Sequence, residues 1–147
     1  MSKKWMFSIF LLLAMFTAKA QFRKIPGDVT DSFKVKYENA LGVSWKDRLS
    51  SFQADFTIGD KEMKALFTSK GEWIKTETAD TYTNIPADVK DGFKKSKYAD
   101  MDVLDVAQIE DKDNQTQYRI VVKKNDFNKR SLIFSKVGQL ISDNASL

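Results

Sequence analysis

The segment Ile25-Pro26-Gly27-Asp28-Val29-Thr30-Asp31-Ser32-Phe33-Lys34-Val35-Lys36-Tyr37 returns 60 residues later as Ile85-Pro86-Ala87-Asp88-Val89-Lys90-Asp91-Gly92-Phe93-Lys94-Lys95-Ser96-Lys97-Tyr98. Ile, Pro, Asp, Val, Asp, Phe and Lys recur in register, and the closing Tyr slips by one, a match that shared composition does not produce. A chain that carries one word twice is expected to build one local element twice. Each copy predicts a helix. Pro lacks an N–H and has φ already set, which suits a helix start, and Asp28 or Asp88 then meets the positive end of the helix dipole. Val29, Phe33 and Tyr37 fall at i, i+4 and i+8, and Val89 and Phe93 repeat the start of that stripe, so one side of each helix faces a core. At about three turns such a helix is marginal alone and needs a surface to lie on.

Strand alternation supplies the surface. Leu41, Val43 and Trp45 alternate with Gly42, Ser44 and Lys46, and Phe52, Ala54, Phe56 and Ile58 with Gln53, Asp55 and Thr57. Met63, Ala65 and Phe67 continue the pattern beyond a turn at Gly59-Asp60, and a second turn at Lys70-Gly71 leads into the strand Trp73 to Thr78. Farther on, Met101, Val103 and the run Val106 to Ile109 begin a similar series. Tyr118, Ile120 and Val122 then echo Phe52, Ala54 and Phe56, and Phe134 and Gly138 echo Phe67 and Gly71. The expected fold class is therefore α+β, a tandem repeat of one helix packed on a four-stranded antiparallel meander, forming a broad sheet with both helices on one face. The polar stretch Glu77 to Asn84 joins the units, giving a division into residues 21–83 and 84–147.

The first residues read as a secretory signal. Lys3 and Lys4 precede the apolar run Trp5 to Phe16, and Ala18-Lys19-Ala20 supplies a small-x-small site, so cleavage is expected after Ala20. No Cys sits there to carry a lipid anchor, and the destination is periplasmic or secreted, with no membrane insertion after cleavage. Loss of Lys3, Lys4 and Lys19 lowers the 24 basic residues to 21 against 20 acidic ones, which does not support a nucleic-acid footprint. The chain has no Cys and no His, which excludes disulfides, thiolate and imidazole metal sites, and cysteine- or histidine-based catalysis.

The helix start Ile-Pro-x-x-Val-x-x-x-Phe, the strand pair around Val43-Ser44-Trp45 and Phe52-Gln53-Ala54-Asp55-Phe56, and Phe67-x-x-x-Gly71-x-Trp73-x-x-Thr76-Glu77 occur in order. With them the chain, from Ile25 to about Ile141, resembles the PepSY-like, beta-lactamase-inhibitor-like family of proteins exported by Bacteroidetes bacteria. The resemblance implies a fold similar to the beta-lactamase inhibitory protein. It also implies a restraining or binding role at the cell envelope, without naming a target.

Candidate partner-binding residues are Trp45, Asp47, Arg48, Trp73, Tyr82, Tyr118 and Phe127. Tyr and Trp dominate protein-binding hot spots, and a concave sheet face displaying several would be a docking surface. The competing expectation is that strand aromatics alternate into the helix–sheet core. Asp47 and Arg48 sit at a predicted turn, and Phe127 interrupts an otherwise polar one. Asp111-x-Asp113-Asn114 lacks the Gly and distal Glu of a calcium loop and reads as a solvated turn, so no metal or cofactor is expected. These observations favour a non-catalytic exported module that binds or inhibits a protein or peptide in the cell envelope through its exposed sheet face and hairpin loops. The alternative is a small-ligand or envelope-stress module with a pocket between helices and sheet. An enzyme is not expected.

Overall fold

A computed structural model describes residues 23–146, so the signal segment 1–20 lies outside the described residues. Helix α1 (Gly27–Lys36) leads into strands β1 (Leu41–Arg48), β2 (Ser51–Ile58), β3 (Lys61–Thr68) and β4 (Trp73–Asp80). Helix α2 (Ala87–Lys94) leads into β5 (Asp102–Asp111), β6 (Thr116–Asn125), β7 (Asn128–Ser135) and β8 (Leu140–Ala145). All the strands belong to one antiparallel eight-stranded sheet in the order β1-β2-β3-β4-β5-β6-β7-β8.

That sheet corrects the expected fold class. The molecule is not a tandem repeat of a helix on a four-stranded meander. Among the described residues it is a single eight-stranded antiparallel sheet carrying two short helices of 10 and 8 residues. Strand β4 pairs with β5 from Lys75↔Asp111 to Asp80↔Val106, in a ladder continuous with its neighbours. The physical reason is the edge. A four-stranded meander ending at β4 would leave a row of N–H and C=O groups unpaired, and pairing with β5 satisfies them. Repeated words in the sequence report repeated local elements and are silent on which strand edges join.

Each helix starts where the sequence places a proline, although Pro26 and Pro86 occupy the capping position rather than the first helical residue. The Pro26 carbonyl accepts the Val29 N–H at 3.1 Å, and the Pro86 carbonyl accepts the Lys90 N–H at the same distance. Val29, Phe33 and Tyr37 are buried with Phe52, Ala54, Phe56, Ala65 and Phe67. Val89, Phe93 and Tyr98 are buried in a second cluster with Ile120, Val122, Leu132 and Phe134. Burying each Val or Phe of these stripes contributes about 1.5–3 kcal/mol, more than helices this short gain from their own hydrogen bonds, so the sheet holds the helices in place.

Cross-strand register places both clusters on one face. Ala65 stands opposite Thr76, and Asp80, which shares the face of Thr76, stands opposite Val106. The helices also touch two hairpin turns. Gly71, at φ +81°, and Gly138, at φ +79°, lie so near the helix backbones that an added Cβ would fall 2.5 Å from the Asp28 carbonyl oxygen and 2.1 Å from that of Asp88.

Candidate functional site: the open face of the sheet

Both helices lie on one face, so among the described residues no other element covers the second. Strand pleating assigns that open face the residues that alternate with the core set. One cross-strand row runs Lys46, Gln53, Leu66, Lys75, and the next runs Asp55, Lys64, Glu77, Ile109. A third passes through Ala79, Ala107, Arg119 and Ile133.

These residues form two charged networks. In the first, Lys46 and Gln53 both donate to Asp55, and Arg48 Nε donates to Gln53 Oε1 at 3.1 Å. In the second, Lys75 Nζ donates to Glu77 Oε1 at 2.8 Å and Arg119 Nε to Glu77 Oε2 at 3.2 Å, while Arg119 Nη1 lies 3.0 Å from Asp105. The Glu77–Arg119 pair reaches from β4 to β6 across β5, whose Ala107 and Ile109 face the same side and are buried. Both partners are only 18% exposed, so the pair is less screened than an ordinary surface bridge.

Burial would raise the Glu77 carboxyl, but the Lys75 hydrogen bond and the charges of Lys75, Arg119 and Lys64 outweigh it and hold the group below the usual carboxylate range. Asp55 follows the same pattern, with desolvation opposed successfully by Lys46 and Gln53. Carboxylates held ionised are poor proton donors near neutral pH, and the chain has no His to act in their place. The arrangement suits recognition: charged donors and acceptors fixed on strands around a cleft of about 240 Å3 lined by Arg48, Gln53, Lys64, Leu66, Lys75 and Glu77. Among the described residues, no group of three or more acidic, His or Cys residues could hold a metal. Asp111 instead caps its own turn, accepting the N–H groups of Asp113 and Gln115 at 3.0 Å.

The structure disperses the residues singled out from the sequence. Trp45 and Trp73 pack against the cluster under α1, Tyr82 packs against the cluster under α2, and Tyr118 is buried inside the latter. Those four aromatics therefore belong to the helix-bearing face. Asp47 takes both an ion pair and a backbone hydrogen bond from Arg23 at the rim. Arg48 alone lines the open-face cleft, and Phe127 stands at the tip of the β6–β7 hairpin, fully exposed. Sequence reasoning passed over Lys46, Asp55, Lys64, Lys75, Glu77 and Arg119. For the first three and for Arg119 the signal was present, since they occupy the outward positions of strands whose inward positions are apolar. A second cleft of about 350 Å3 opens between α1 and β1, lined by Thr30, Phe33, Lys34, Tyr37, Val43 and Trp45 among others.

With this geometry in hand, the chain can be compared with known proteins. The family described as "Putative beta-lactamase-inhibitor-like, PepSY-like" matches residues 50–142. A crystal structure of a DUF2874 family protein from Bacteroides uniformis is similar at 26% identity and a TM-score of 0.76, covering 82% of this chain and 88% of that one. A crystal structure described as putative periplasmic proteins from Bacteroides eggerthii is similar at 26% identity and a TM-score of 0.76, covering 83% and 89%. A BLIP-like protein from Bacteroides fragilis is similar at 25% identity and a TM-score of 0.72, covering 85% and 89%. No curated protein matches the sequence.

Proposed function

This chain belongs to the PepSY-like, beta-lactamase-inhibitor-like family, and from that premise we propose that it is an exported, non-catalytic module that holds a protein or peptide against the open face of its sheet and the adjoining hairpin loops. The observation that carries this reading is the uncovered face itself, where Asp55 and Glu77 organise fixed ion pairs beside the apolar Leu66. Charges already held in place by strands lose little freedom on binding, which favours specific recognition. Export is supported by the periplasmic description of one structural relative. Among the described residues, no helix is long and apolar enough to cross a membrane. The description of another relative as BLIP-like supports a binding role of the inhibitory kind.

Lys64 is exposed on the cleft and Arg48 lies beside it, so reversing both charges leaves the core untouched. An envelope protein retained by the wild type is expected to be lost by an Arg48→Glu, Lys64→Glu double variant and kept by Lys34→Glu on the helix side. Equal retention by all three would remove the open face from the binding site.

The cleft between α1 and β1 favours one second reading, a small apolar ligand held against Phe33, Tyr37 and Trp45. A compound that binds there raises the melting midpoint of the wild type and not of a Val43→Trp variant that fills the cleft. A screen of envelope metabolites without any such shift counts against this reading.

A further inference from the structure

The open-face reading does not account for Phe127. It is the only aromatic among the large apolar side chains left exposed in the described residues, and at 101% relative exposure it touches essentially nothing. The turn that carries it is hydrogen-bonded, with Asn125 Oδ1 accepting the Phe127 N–H at 3.1 Å and Asn125 pairing with Asn128. An aromatic held clear of the fold at the end of a hairpin gives up favourable burial unless something else covers it.

The surroundings indicate what covers it. Lys123, Lys124, Lys129 and Arg130 flank the turn on the two strands. Asp126, the one acid in the turn, is answered by Lys123 at 3.7 Å, whereas Lys124 and Lys129 make no ion pair among the described residues. At the foot of the hairpin lies a cleft of about 380 Å3 lined by Lys97, Lys124, Arg130 and one acid, Asp100; Lys97 and Arg130 are paired with Asp143, so among the described residues Lys124 is the lining cation without an ion pair. An apolar point thus projects beyond a collar of cations. Leu49, at the tip of the β1–β2 hairpin and 96% exposed, has Lys46 and Arg48 on one flank and no cation on the other.

We propose that the β6–β7 hairpin docks on anionic phospholipid, with Phe127 entering the interfacial layer while Lys124, Lys129 and the foot of the hairpin meet headgroup phosphates. A lone projecting ring lacks the surrounding dry area that a stable protein interface requires, whereas a fluid lipid interface closes around a single wedge. Cations two and three residues from the ring then sit at phosphate depth with their stems against apolar surface. The contact is peripheral, with no segment crossing the bilayer.

The test uses the exported protein, with the same N-terminus in every variant, and vesicles of phosphatidylcholine alone or with about one-third phosphatidylglycerol. A Phe127→Trp variant is expected to show blue-shifted emission, relative to the wild-type spectrum, on the anionic vesicles only. Partitioning onto those vesicles is expected to fall about tenfold in Phe127→Ala and in a Lys124→Ala, Lys129→Ala variant, and to weaken with salt, while melting midpoints stay unchanged. Absence of the blue shift, or partitioning equal to wild type in both variants, overturns the proposal. So does binding of inorganic phosphate without vesicle partitioning, which would assign the cleft to a free anion. Because none of these readouts involves Arg48 or Lys64, the outcome is independent of the open-face test.

Discussion

A tyrosine follows each helix, Tyr37 directly after α1 and Tyr98 four residues after α2, and the two are fastened differently. After α1, the Tyr37 hydroxyl hydrogen-bonds Thr76 on β4, which also receives the Trp73 indole N–H at 2.9 Å, and Lys36 lies 3.8 Å over the Trp73 ring. After α2, the Tyr98 hydroxyl donates to Asp143 on β8, and Lys97 at 3.4 Å and Arg130 at 3.3 Å complete a charged cluster. Thr76 stands opposite Ala65 and Asp143 opposite Leu132, so each tyrosine meets the second strand of the hairpin beneath its helix. The first fastening is a neutral hydrogen bond beside a cation–aromatic contact, whereas the second is ionic and leaves Arg130 Nε without a partner. A repeated tyrosine therefore sets where the contact is made, and the strand residue it meets sets how the contact responds to pH.

The comparison breaks most severely at the glycines that let the helices approach the sheet. Gly138→Ala would drive a Cβ into the Asp88 carbonyl at a positive φ, with Gly92 packed on the same turn. A loss of about 3 kcal/mol is expected in a denaturant titration, larger than for Gly71→Ala, whose nearest backbone atom is farther away. Tyr37→Phe comes next. It deletes one buried hydroxyl while Thr76 keeps its bond from Trp73, so a loss of about 1 kcal/mol is expected, read from the melting of Trp73 fluorescence.

The smallest effect is the most informative, because it separates the two fastenings by pH. The Tyr98 hydrogen bond, together with Lys97 and Arg130, holds the Asp143 carboxyl below its ordinary range despite some desolvation. A carboxylate lowered in the folded state stabilises above its unfolded pKa of about 4, and that contribution is lost as pH falls through the folded value. The wild type should therefore melt above Asp143→Asn at neutral pH, and the gap should close as pH falls below about 4. Thr76→Val, at the neutral fastening, should show a gap that does not change over the same acid range. At the alkaline end the order reverses. Burial raises the Tyr37 hydroxyl above its ordinary value, against hydrogen bonds to Thr76 and Trp73, so stability tied to its neutral form persists below about pH 10 and is lost as pH rises through the folded value.

Much of the local structure was legible. The proline and aspartate starts, the Val–Phe stripes and the alternation of Phe52, Ala54 and Phe56 with polar residues correspond to α1, α2 and β2 as observed. The candidate site was legible only in part. Lys46, Asp55 and Lys64 lie at the outward positions of that alternation, whereas the aromatic candidates Trp45, Trp73, Tyr82 and Tyr118, for which core packing is the competing expectation, pack under the helices. Large aromatics contribute most when buried, and the helix-bearing face was where burial was available.

By itself, then, the sequence determined the helices, most strands, the turn glycines and the family, because each follows from spacing within about a dozen residues. Tertiary structure alone decided that β4 and β5 would close into one sheet, and that Glu77 would meet Arg119 from 42 positions away. Both depend on which backbone edges and which distant side chains come together. That is settled by satisfying hydrogen bonds and charges across the whole fold, and no local period records it.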